Sequence, residues 1–116
     1  MNDLSYQELT RGISRNLTAL RTHNTEVMQG FGALSKAAMA PGALDEKTKE
    51  LIAMAIGVAS RCDGCLGFHA KALVRLGATP EEFREMLGVA VYMGGGPSLM
   101  YAANALAAFE EFSTAA

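Results

Sequence analysis

No segment of this chain alternates apolar and polar residues with a period of two, so no β-strand is predicted anywhere along it. The glycine triplet Gly94-Gly95-Gly96 has neither a preceding strand nor the Lys-Ser/Thr that completes a phosphate loop, which excludes that mode of nucleotide binding. Basic residues are not in excess: ten Lys and Arg face twelve Asp and Glu, for a formal net charge of -2. Without a basic patch, nucleic acid is not an expected partner. The opening residues Met1-Asn2-Asp3-Leu4-Ser5 carry neither the basic nor the apolar block of a signal peptide, so a cytoplasmic location is expected. At 116 residues there is room for one core, and residues 1–116 read as a single domain with no internal repeat or low-complexity linker.

Charge is missing altogether from Met86 to Phe109, a length that could cross a bilayer. The glycine run, Pro97, Ser98 and Asn104 interrupt it. Lipid-exposed backbone does not tolerate such a break, so the segment reads as two helices meeting at the glycines, and no membrane association is expected.

What remains is helix throughout. Ser5 is a candidate N-cap for a first helix whose apolar stripe is Leu4, Leu9, Ile13, Leu17 and Leu20, with His23 at the surface near its end. A second helix starts near Thr25, puts Val27, Met28, Phe31, Leu34 and Ala38 on one side, and stops at Pro41-Gly42. Asp45 caps a third, whose run from Leu51 to Ala59 is apolar almost all round and is expected to be buried on most sides. Ser60 is the expected cap of a fourth helix, with Asp63 three residues on, and Gly77 closes it. Thr79-Pro80-Glu81-Glu82 opens a fifth, and Pro97 starts a last one running through Phe112. The fold class is all-α, with about six helices. The last helix is too poor in charge for a small monomer to bury fully, which predicts a homo-oligomer. Tyr92 and Tyr101, flanking the glycines, are candidates to line a pocket.

Cysteine is scarce, and both copies fall in one motif, Cys62-Asp63-Gly64-Cys65, with His69 four residues further on. On a helix Cys62 and Cys65 are an i,i+3 pair and Cys65 and His69 an i,i+4 pair, which places all three on one face. In a reducing compartment this spacing points to redox chemistry or metal binding before it points to a structural staple. The thiolate is the reactive form. A helix N-terminus stabilises it by only ~0.3–1 kcal/mol when exposed, less than one pKa unit. His69 can add to this as a proton acceptor or as a nearby cation, and Glu50 is the best-placed carboxylate to orient the imidazole. Glu50 otherwise reads as a solvated residue near Lys47.

Three alternatives stand beside the redox reading. The cysteines can be small buried apolar residues. They can join His69 and an acid around zinc, although structural zinc sites usually gather ligands from two segments. They can mark a thioredoxin-like domain, which requires a βαβ pattern that the chain lacks. These leave a non-redox enzyme or metal-binding module, and an oligomeric binding protein with incidental thiols, as the competing functions. No cofactor or metal is assigned.

The stretches Lys49-Glu50-Leu51-Ile52-Ala53, Cys62-Asp63-Gly64-Cys65 with His69, and Gly94-Gly95-Gly96-Pro97 together resemble the alkylhydroperoxidase D-like group of the carboxymuconolactone decarboxylase superfamily. The resemblance covers roughly Thr25 to Phe112. It implies an all-α fold, often a hexamer built as a trimer of dimers, and peroxidase or disulfide reductase activity. It implies that Cys65 attacks the peroxide, that Cys62 resolves the product, and that Glu50 and His69 relay protons. It also implies an external dithiol reductant, which in the family can be a lipoyl-bearing protein. The chain departs from the full peroxidases at Gly64, where they carry a further histidine. The decarboxylase branch lacks the cysteine pair, so lactone decarboxylation is not expected.

Overall fold

A computed structural model describes residues 5–115; Met1 to Leu4, including the Leu4 end of the first stripe, lie outside the described residues. Six helices follow one another: α1 (Tyr6–His23), α2 (Thr25–Met39), α3 (Glu46–Ala59), α4 (Asp63–Arg75), α5 (Pro80–Gly94) and α6 (Gly96–Ala115). Among the described residues there is no strand, and no helix is long and apolar enough to cross a membrane.

The predicted starts of α1, α3 and α5 are where the capping chemistry puts them. Ser5 and Glu8 form a reciprocal capping box, Asp45 accepts from the Thr48 N–H at 2.8 Å, and Thr79 pairs with Glu82 in a second box. Two further N–H groups of α1 are satisfied from across the molecule. The Glu111 carboxylate on α6 accepts from Tyr6 at 3.0 Å and from Gln7 at 2.8 Å, fastening α1 to α6.

The core lies among α3, α4, α5 and α6. Met54 and Val58 meet Leu66, Ala70 and Leu73, while Phe83 stacks on Phe109 with ring centroids 4.3 Å apart. Ala102, Ala105 and Ala108 keep α6 thin on this side, so its neighbours approach closely.

Several sequence expectations are revised. Of the expected α1 stripe, Leu9, Ile13 and Leu17 are partly buried and Leu20 is exposed, while the buried residue of α1 is Thr10, because α1 lies over two glycines of α4. A Cβ at Gly67 would fall 2.5 Å from Thr10 Cγ2, and one at Gly64 would fall 2.8 Å from Ile13 Cδ1. The third helix is not buried on most sides: Ile52 and Ile56 face outward, 46% and 60% exposed. Its inward stripe is Glu50, Met54, Gly57 and Val58. The last helix begins at Gly96 rather than Pro97, since Gly95 at φ 73° ends α5 and the turn restarts at once. Tyr92 is exposed and Tyr101 is packed in part against the core.

Candidate dithiol site

Ser60 is not the cap of α4. It is the last residue of α3's final turn, and the chain leaves α3 through a Schellman motif. The Cys62 N–H reaches back to the Gly57 carbonyl at 3.0 Å and the Arg61 N–H to that of Val58 at 3.2 Å. The motif needs a left-handed residue between them, and Arg61 supplies it at φ 56°. One helix later Gly77 plays the same part at the end of α4, where glycine is the usual occupant. The α3 exit therefore fixes Cys62 in extended backbone as the N-cap of α4, and its Sγ accepts from the Cys65 N–H at 3.2 Å. Asp63 is the first helical residue and Cys65 the third.

Cys62 and Cys65 are joined as a disulfide, with Cα atoms 5.2 Å apart. Both are partly buried. Gly57 makes room for them: a Cβ there would stand 3.0 Å from the Cys65 Cβ, so a glycine lets α3 pass close to α4 at Cys65.

Four residues on from Cys65, His69 projects from the next turn of α4. Its Nδ1 lies 2.6 Å from Glu50 Oε1. Glu50 is 8% exposed because it belongs to the inward stripe of α3. Lys47, its expected partner at the surface, is committed elsewhere, to Glu82 at 2.8 Å. An ionised Glu50 requires the proton on Nδ1 and leaves Nε2 of a neutral ring as the acceptor, which is the arrangement a general base needs. All four predicted site residues are thus delivered by two adjacent helices.

The other flank of the motif belongs to α1. Ile13 closes on Gly64, and Tyr6 stands near Asp63. Burial raises the Tyr6 phenol above its ordinary range, and the charges of Asp63 and Glu111 add to the effect. Ile13 belongs to the apolar stripe expected for α1, whereas nothing in the local pattern marks Tyr6 or its approach to Asp63. Among the described residues no group of three or more His, Cys, Asp and Glu is arranged to hold a metal ion.

Comparison with known proteins places this geometry in a family. Residues 25–108 match the model of the carboxymuconolactone decarboxylase family. A Legionella pneumophila protein of that family, solved in its apo form, superposes with a TM-score of 0.92 at 59% identity, covering 93% of this chain and 96% of its own. A Thermotoga maritima member, for which an antioxidative role has been suggested, superposes with a TM-score of 0.81 at 31% identity over 90% of each chain. A Cupriavidus necator protein is 42% identical over 84% of this chain and 87% of its own length.

Proposed function

This chain belongs to the carboxymuconolactone decarboxylase family, and we propose that within it the chain is a thiol-dependent peroxidase or disulfide reductase working through Cys62 and Cys65. The observation that carries the reading is the buried Glu50 held 2.6 Å from the histidine that shares a helix face with Cys65. A carboxylate is buried in a small core only when it is paired, and this one is paired with the imidazole beside the dithiol.

The cycle starts from the reduced pair. The Cys65 thiolate attacks one oxygen of a hydroperoxide, the O–O bond breaks, and the alkoxide leaves as alcohol with a proton passed through His69. Cys65 is now a sulfenic acid. Cys62 attacks its sulfur, water leaves, and the disulfide forms. An external dithiol restores both thiols and departs as its own disulfide, a lipoyl-type dithiol being the reductant the family resemblance offers. A cytoplasmic setting suits a couple that must be reduced again.

Disulfide reduction is favoured over rapid peroxide turnover by one specific feature. Gly64 is covered by Ile13, so the place where full peroxidases carry an extra histidine is filled by α1. The test is dithiol-dependent consumption of alkyl and hydrogen peroxides, and of small disulfides, by wild type, Cys65→Ser and His69→Ala. Wild-type turnover no faster than Cys65→Ser on every substrate refutes the reading.

A homo-oligomer, with a hexamer favoured, is part of the same proposal. Helix α2 has no buried residue, and Val27, Phe31 and Leu34 form an outward stripe, each more than 60% exposed. Ile52, Ile56, Leu99 and Met100 extend the apolar surface. Such a surface supports subunit contact.

A further inference from the structure

On the far side of α4 from the thiols, a cleft of about 280 Å³ opens between α1, α4 and α6. Thr10 and Arg11 form one wall, Lys71, Val74 and Arg75 the other, and Phe112 the floor. Three of these side chains are cationic, and no described residue lining the cleft is acidic, in a chain whose net charge is negative. Lys71 and Arg75 are like charges at i,i+4 on one helix, an arrangement that is unfavourable by itself. Arg11 brings a third positive charge to them from α1. Nearby acids leave them largely unanswered. Glu111 is taken by the N–H groups of Tyr6 and Gln7. Arg75 reaches Glu46 at 3.5 Å across exposed, solvent-screened side chains. Among the described residues neither Arg11 nor Lys71 has a carboxylate within 4.0 Å.

The floor is apolar: Phe112 is 7% exposed, with Val74 packed against the same core. The α1 wall is seated firmly, since Thr10 is buried against Gly67. None of the large exposed apolar side chains lines the cleft, so it lies apart from the surface assigned above to subunit contact. Convergent cations over an apolar floor, in a cavity at the small end of ligand-site volumes, fit one class of molecule.

We propose that this cleft binds a small organic anion, a carboxylate or phosphate head on an apolar body, with the head among Arg11, Lys71 and Arg75 and the body over Val74 and Phe112. The site is independent of the dithiol chemistry and is tested on the oxidised protein without turnover. Isothermal titration uses hexanoate and hexyl phosphate as probes, with acetate, inorganic phosphate and hexanol as controls. Saturable binding of at least one hexyl anion is expected, at least about tenfold tighter than any control, and the preferred head separates a carboxylate ligand from a phosphate one. The double variant Arg11→Gln/Lys71→Gln should weaken that binding by about tenfold or more, with melting temperature and dithiol turnover unchanged. The proposal is overturned if neither hexyl probe saturates below about 10 mM, if a control binds as tightly, or if the double variant binds as wild type does.

Discussion

Replacing Glu50 by glutamine removes one charge and almost no volume. In the native site the carboxylate meets His69 Nδ1 at 2.6 Å, with 11% of the Glu50 side chain and 31% of the His69 side chain exposed. Hydrogen bonds to charged groups contribute about 1.5–3 kcal/mol net, and neutral ones about 1. Glutamine can still accept from Nδ1–H, so the loss is the difference, about 0.5–2 kcal/mol. If that interaction supports the imidazolium formed as His69 takes a proton, turnover with dithiol and peroxide should fall by about 2- to 30-fold. Glu50→Leu removes the acceptor altogether and should fall further, towards His69→Ala. Stability should change less than turnover: removing one partner of a buried pair is costly when the other is left unpaired, but His69, with 31% of its side chain exposed, stays open enough for water to serve Nδ1. The assay pairs stopped-flow reduction and oxidation of the dithiol with urea unfolding of the same samples. A Glu50→Gln protein within twofold of wild type, beside an inactive His69→Ala, refutes the relay. So does a Glu50→Leu protein that loses stability but keeps full turnover per folded molecule.

Gly57→Ala gains about 1 kcal/mol of helix propensity but forces Cys65 back by a few tenths of an ångström, an overpacking worth about 1–3 kcal/mol. A net loss of up to about 2 kcal/mol in urea unfolding is expected, with slower disulfide closure; a more stable protein closing at the wild-type rate refutes the close approach. Gly77→Ala meets no atom within 4 Å, so its cost is backbone strain alone, about 1 kcal/mol, and the dithiol kinetics should not change. Asp45 is held below the usual carboxylate range by its hydrogen bonds from Thr48. Its contribution is therefore present above the unfolded pKa and lost as pH falls through the lower folded value, so acid unfolding of wild type should steepen below about pH 4, and Asp45→Asn should remove that part of the pH dependence. Phe31→Glu puts a charge in the middle of the outward stripe of α2, and sedimentation velocity should show smaller assemblies; an unchanged distribution removes α2 from the interface.

How the site was legible depended on which residues act locally. The spacing of Cys62, Cys65 and His69 is a property of one helix, and the caps at Ser5, Asp45 and Thr79 act within four residues, so each could be read from the chain alone. Glu50 was legible as the best-placed carboxylate for His69, and the family resemblance then favoured that role over a solvated surface residue. Its burial follows from which face of α3 turns inward, and a run as apolar as Leu51 to Ala59 has no polar face to mark the outside. The α3 exit hid for a different reason. Schellman turns are usually signalled by glycine, as at Gly77, whereas Arg61 carries no such mark, and Ser60 was the more conventional cap. Long-range fits such as Thr10 on Gly67 leave no local trace at all.

The unmarked turn has a chemical consequence. Because Arg61 sends the chain into α4 two residues later than a Ser60 cap would, Cys62 becomes the cap itself, and its sulfur takes the Cys65 N–H. Negative charge on Cys62 is then supported by the start of α4, and under the proposed relay charge moving on or off Cys65 would be served by His69 and Glu50. The two thiols are therefore not equivalent. In the reducing half of the cycle the better-supported thiolate leaves faster, which directs the incoming dithiol to the Cys65 sulfur and releases Cys62 first. In the oxidising half the same support keeps Cys62 deprotonated and ready to close on a sulfenic acid at Cys65. The proposed order, attack at Cys65 and resolution by Cys62, is the one this asymmetry supports and the one the family resemblance implies.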